Sequence, residues 1–253
     1  LVVIGILIAL QINTWNEHKK TLAKERVILA SLLEDFEDNS RNINFMLNIY
    51  PSAVKNLKRK LTYIGKNAND FDQDMKDDLI SITYGNSGLV SGTLNALLNS
   101  DQLGLIQNNE LKKLLTSYPY NMGIFLDQLN EITEYIKKTH VPLLDSYISV
   151  LERSNEQEAY PELLPNIMKS DYNGLLNDVK FQNLIFREIK IITNFNNNNN
   201  FFLDRTIYII DLIRVELELP IKLERLINSD KTIDEVIEII KQQEMDDPVY
   251  DIS

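Results

Sequence analysis

Taken at every seventh position from its start, the chain reads Leu1, Ile8, Trp15, Leu22, Leu29, Phe36, Ile43 and Tyr50, all of them apolar. Leu32, Leu33, Met46 and Leu47 fill neighbouring places on the same face, with Lys24, Glu25, Glu34, Asp35, Glu37, Asp38 and Arg41 between them. A stripe of this kind predicts one amphipathic helix. No proline or glycine interrupts residues 6–50, and Pro51 is expected to end the run. At 1.5 Å per residue the helix would be about 75 Å long. A sevenfold stripe fits a coiled coil. The irregular charges beside it favour a spine packed inside its own bundle.

The apolar period of three and four continues downstream. Val54, Leu57, Leu61 and Ile64 predict a second helix over 52–65, stopped by Gly65. A short helix is expected over 75–84, then a loop, YGNSGLVSG, over 84–92. Thr93 would cap a helix carrying Leu94, Leu97 and Leu98. Asn108 or Asn109 would cap the next, with Leu111, Leu114, Leu115, Tyr118, Met122, Phe125, Leu126, Leu129 and Ile132 on one face. Pro119 should kink or break that helix, and Pro142 should start or bend a segment ending near Leu151. The stretch ERSNEQEAYPELLPN reads as a loop. Over 172–219 the period returns around five consecutive asparagines, 196–200. A continuous helix is favoured there over a low-complexity turn, because asparagine costs a helix only about half a kcal/mol per position. Pro220 would end it, and Thr232 with Glu235 forms a capping box for a last helix over 233–243 before an acidic tail.

These elements imply an all-α protein: an elongated helical bundle built on a long N-terminal helix. Composition agrees. Only 8 glycines and 7 prolines occur in 253 residues, too few for the many turns of a β-sandwich. The net charge of -11 disfavours nucleic acid as a partner. The best basic run, Lys55, Lys58, Arg59 and Lys60, is about one helical turn. With no cysteine, disulfides, thiolate catalysis and cysteine metal sites are excluded.

The start of the chain changes the picture most. Leu1, Val2, Val3, Ile4, Gly5, Ile6, Leu7, Ile8, Ala9 and Leu10 form a wholly apolar run, followed by Trp15 and then by Asn16, Glu17, His18, Lys19 and Lys20. Ten residues cover roughly half of a 30 Å hydrocarbon core. No small-x-small cleavage site follows, which weighs against a signal peptide. Every face is apolar, which weighs against a core helix. The favoured reading is the C-terminal part of a truncated transmembrane helix with Trp15 at the interface, over residues 1–17. A helical bundle over 18–219 and a short helix with an acidic tail over 220–253 would follow. Gly5 and Ala9, four apart, are a candidate helix-dimer face.

The stretch IGILIALQINTWNE resembles the corresponding motif of a family of membrane-anchored helical proteins from Bacteroidota, domain of unknown function family 6090. LLEDFEDNSRNI at 32–43 and TLNALLNSDQLGLIQNNELKKLLTSYPYNM at 93–122 are similar to its first post-membrane helix and its central helix-loop-helix. In the second stretch the family tends to carry a loop glycine where this chain has Asp101 or Gln102, and a tyrosine where it has Pro119. The resemblance implies a single-pass anchor in the inner (cytoplasmic) membrane with the helical part in the periplasm. It implies no activity. His18, Lys19, Lys20, Lys24 and Arg26 on their own would pull that side inward.

Candidate chemistry is sparse. The two histidines, His18 and His140, sit in no metal-binding spacing and are expected to be solvated or at an interface. Glu34, Asp35, Glu37 and Asp38 cluster, but a solvated helix face explains them. GNSG at 85–88 is neither a nucleophile elbow nor a phosphate loop. Tyr118, Tyr120 and Tyr135 fit core and interface positions. No catalytic, cofactor-binding or metal-ligating residue is assigned, and no enzyme activity is expected. The expectation is a membrane-anchored envelope protein serving as an interaction or scaffold module, with the lipid bilayer and a protein or a second copy as partners. The alternative is a sensor-like bundle holding a small solute between helices.

Overall fold

The stripe at every seventh position does become one helix. A computed structural model of the chain describes residues 2–85, 88–153 and 167–220, and among these all regular structure is helical. Helix α1 (Val2–Leu61) runs for 60 residues. Pro51 lies inside it, contrary to expectation. Proline removes one backbone hydrogen bond and crowds the carbonyl four residues earlier. Pro51 is exposed, while Tyr50, Ala53 and Leu57 are buried around it. Packing on both sides of the proline therefore carries the helix through. The helix ends at Leu61, four residues before the expected stop, and 52–61 continue α1 rather than forming a second helix. Gly65 lies in the turn that follows, with a left-handed φ of 76° and its N–H donating to Leu176 O at 3.0 Å.

The remaining helices are α2 (Gln73–Ile80), α3 (Gly92–Leu98), α4 (Asn109–Tyr135), α5 (Val141–Asp145), α6 (Val150–Arg153), α7 (Tyr172–Leu176) and α8 (Val179–Glu216). Short 3-10 turns occupy Ala68–Asp70 and Asp101–Leu105. Asn108 caps α4 as expected, its Oδ1 accepting from Leu111 N at 3.0 Å. Pro119 does not break α4. Helix α2 ends at Ile80 rather than Tyr84, and Ser91 rather than Thr93 precedes α3. The asparagine run lies within α8, which is continuous. Leu1, the loop with Pro161 and Pro165, the 233–243 helix with its capping box, and the acidic tail fall outside the described residues.

The chain forms two compact units, and α1, α4 and α8 each contribute to both. The first unit takes residues up to Ser40, Val90–Pro119 and those from Leu203 onward. Leu29, Leu32 and Phe36 of α1, Leu111, Leu114, Leu115 and Tyr118 of α4, and Ile209 and Ile213 of α8 are buried in it. Phe36 packs on Tyr118 with ring centroids 4.6 Å apart. The Tyr118 hydroxyl is 3.2 Å from Thr206 Oγ1, and burial pushes this phenol up to about 12. Arg214 pairs with Glu37, and Asn39 exchanges two 2.7 Å bonds with the backbone of Val90.

The second unit takes Arg41–Leu89 and Tyr120–Phe202. An aromatic cluster holds its core. Phe195 meets Tyr50 at 5.2 Å and Phe125 at 5.3 Å, and Phe125 meets Phe202 at 5.4 Å. The asparagine run fits this core by turning one face inward. Asn199 is buried, its Nδ2 donating to Gln128 Oε1 at 2.6 Å and to Phe195 O at 2.7 Å, while Asn197 and Asn198 are exposed. Among the described residues no helix is long and apolar enough to cross a membrane.

Replacing Phe195 by alanine is expected to cost about 3–5 kcal/mol, whereas Asn198→Ala should change stability by less than about 0.5 kcal/mol. Urea unfolding of both variants checks this.

Candidate functional site

Helix α4 does not pass directly into α5. Between them Ile136–His140 forms one π-turn, closed by the Val141 N–H donating to Ile136 O. A π-turn holds more residues than an α-turn, and such turns are frequent at functional sites. Here Ile136 and His140 are both completely buried.

The His140 ring meets a carboxylate from α8. Nδ1 lies 2.6 Å from Glu188 Oε2, and Glu188 is itself buried. Phe181, two turns before Glu188, places its ring centroid 6.3 Å from the imidazole. The other ring nitrogen, Nε2, is buried and has no hydrogen-bond partner among the described residues. A third ionisable group joins from the last turn of α1. Lys60 is 1 % exposed and its Nζ donates to the carbonyl of Ser81. Burial lowers its ammonium to about 8; the Glu188 and Asp78 carboxylates work against that lowering, and the Arg59 guanidinium adds to it. Next to it, Arg59 grips both carboxylate oxygens of Asp78 and holds that carboxyl below its ordinary range.

A histidine held by a carboxylate is the geometry of an oriented proton acceptor. In this structure both groups are buried. Helix α1, the π-turn and α8 each supply one ionisable side chain to the interior of the second unit. Removing His140 or Glu188 alone leaves the other buried without its partner.

The residues singled out from sequence fall elsewhere. Val3, Ile4, Ile6, Leu7, Ile8, Leu10 and Trp15 all lie on α1 and are exposed, as is Ala9. Gly5 is also on α1, as is Val2, whereas Leu1 is outside the described residues. His18 is exposed on α1, whereas His140 is wholly buried, which corrects the expectation for it. The acidic run is only partly solvated. Glu34 is exposed, but Asp35 accepts from Thr93 N at 3.3 Å and Glu37 pairs with Arg214. Among the described residues no group of acids and histidines could hold a metal ion. The glycine loop has a packing role: Tyr50 donates to Gly85 O at 3.4 Å, and a Cβ on Gly85 would come within 2.8 Å of Met46 Sδ. Asn86 and Ser87 lie outside the described residues. Tyr118 is buried, Tyr120 is exposed, and Tyr135 donates to Leu184 O at 3.3 Å.

Sequence reasoning passed over Lys60 and Glu188. The signal for Lys60 was present, since it follows Ala53 and Leu57 at seven and three on the buried face of α1. Nothing local marks Glu188 as the partner of a histidine 48 residues earlier. Compared with protein-family models, with curated proteins and with solved structures, the chain matches none.

The buried lysine gives a pH signature. Below about pH 8 both folded and unfolded chains hold its proton, and burial of the charge costs stability. Between about 8 and the ordinary value of 10.5 only the unfolded chain holds it, so stability rises with pH. Lys60→Met should lose this rise. The stability of the parent protein relative to the variant should increase by about 2 kcal/mol from pH 7 to pH 10. Urea titrations at the two pH values measure it.

Proposed function

We propose that this chain is a membrane-tethered helical module that works by binding a protein partner or a second copy of itself, rather than by catalysis. One observation carries the reading. Val3, Ile4, Ile6, Leu7, Ile8, Leu10, Ile12 and Trp15 are each between 52 % and 69 % exposed, on every face of the first turns of α1. The same helix buries Leu29, Leu32, Phe36, Ile43 and Tyr50 further on. An apolar stretch of this size is not normally left in water. A docking face would be apolar on one side only; a segment apolar all round suits hydrocarbon.

The end of the stretch supports the same placement. Lys19 Nζ lies 3.8 Å above the Trp15 ring, and Glu17 and Lys20 pair at 2.9 Å one turn on. An amphipathic aromatic followed by charged residues is the pattern of a membrane interface. The proposal places residues 1–17 as the membrane-proximal end of a single-pass anchor in the cytoplasmic membrane and the two helical units on its periplasmic side. Kinship with the Bacteroidota proteins of family 6090 belongs to the same proposal, as does pairing through Gly5 and Ala9.

The full chain should float with lipid vesicles in a density gradient. Ile6→Asp with Ile8→Asp should abolish flotation and leave the helical circular-dichroism signal of the units in place, since both residues are exposed. Flotation that survives the double substitution, or parent protein that stays with the soluble fraction, refutes the tether.

A further inference from the structure

The turns that carry the buried histidine–glutamate pair also carry, with their other side chains, an open groove of about 490 Å³ within the second unit. One wall is the α4–π-turn–α5 segment, which contributes Tyr135, Lys138, Thr139, Pro142, Leu143 and Ser146. The other is α8, which contributes Lys180, Asn183, Leu184 and Arg187. On α8 these four recur at three, four and seven, so they share one face. Thr139 adjoins the buried His140, and Arg187 adjoins the buried Glu188.

The lining is chemically one-sided. It holds three cations and no carboxylate, in a chain where 37 acidic residues outnumber 26 basic ones. Glu134 already compensates Lys138, at 2.6 Å from one turn earlier. Lys180 and Arg187 have no ion-pair partner among the described residues. The lining also holds the Asn183 amide, the Thr139 and Ser146 hydroxyls and the apolar Leu143, Leu184 and Pro142. A planar guanidinium matches a carboxylate or phosphate with two parallel hydrogen bonds, and an ammonium adds a point charge. The volume falls within the range of small-molecule sites.

We infer that this groove binds a small organic oxyanion, a carboxylate or phosphate group on a compact apolar body, with Arg187 and Lys180 as the anion-binding residues. The inference goes beyond the tether and does not depend on it, because it concerns the second unit alone and its test uses no lipid.

The test is calorimetric titration of the full chain in mild detergent with succinate and with phenyl phosphate, which separate the carboxylate from the phosphate source. Sodium sulfate at matched ionic strength controls for bulk screening. Arg187→Gln and Lys180→Gln change exposed side chains and leave the fold intact; Lys58→Gln, in the basic run of α1, is the control cation. At least one organic probe should bind in a saturable way, weakened about tenfold or more by Arg187→Gln and by Lys180→Gln and unchanged by Lys58→Gln. No saturable binding of either probe, or binding that the groove variants and the control weaken equally, overturns the inference.

Discussion

One helix has to be covered. The stripe that begins α1 recurs every seventh residue through Leu29, Phe36, Ile43 and Tyr50, and each of these is buried. Water cannot be kept from such a stripe by α1 alone, so α4 and α8 supply matching faces. Phe36 finds Tyr118 of α4, and Tyr50 finds Phe195 of α8. The constraint also accounts for the helix passing Pro51. Losing one backbone bond at an exposed proline costs less than uncovering Tyr50, Ala53 and Leu57 around it.

The stripe stops being covered toward the N-terminus. Leu22, Trp15 and Ile8 occupy the same sevenfold register as Leu29 and Phe36, yet all three are exposed. A single periodic pattern thus has two environments, a protein interior at one end and no protein cover at the other. The proposed bilayer contact supplies the missing environment without any change in helix. Local sequence agrees, since the polar residues that make the stripe amphipathic begin only after Leu10.

Much of this was legible from the residues. The all-helical class, the cap at Asn108 and the unbroken passage through the asparagines follow from periodicity, capping chemistry and helix cost. Pro51 misled as a stop, because its local rule is weaker than the packing of Tyr50 beside it, and Pro119 does not break α4 beside the buried Tyr118. The buried cluster was hidden for a different reason. His140 looked like a solvated residue ahead of a proline; its burial depends on a π-turn and on Glu188, neither of which leaves a pattern in neighbouring positions. Lys60 was masked by company, sitting beside Lys58 and Arg59 in a run that reads as basic surface. The groove was invisible for the same reason as the cluster, since its cations come from segments about forty residues apart that no spacing rule connects.

The central claim is that α1 leaves its own protein and enters lipid, and Trp15, the single tryptophan of the chain, reports on it directly. The measurement is quenching of its fluorescence in vesicles whose acyl chains carry bromine at different depths. The account predicts strongest quenching by bromines nearest the headgroups, with weak access for aqueous acrylamide. Full access for acrylamide and no quenching by any brominated lipid would contradict it.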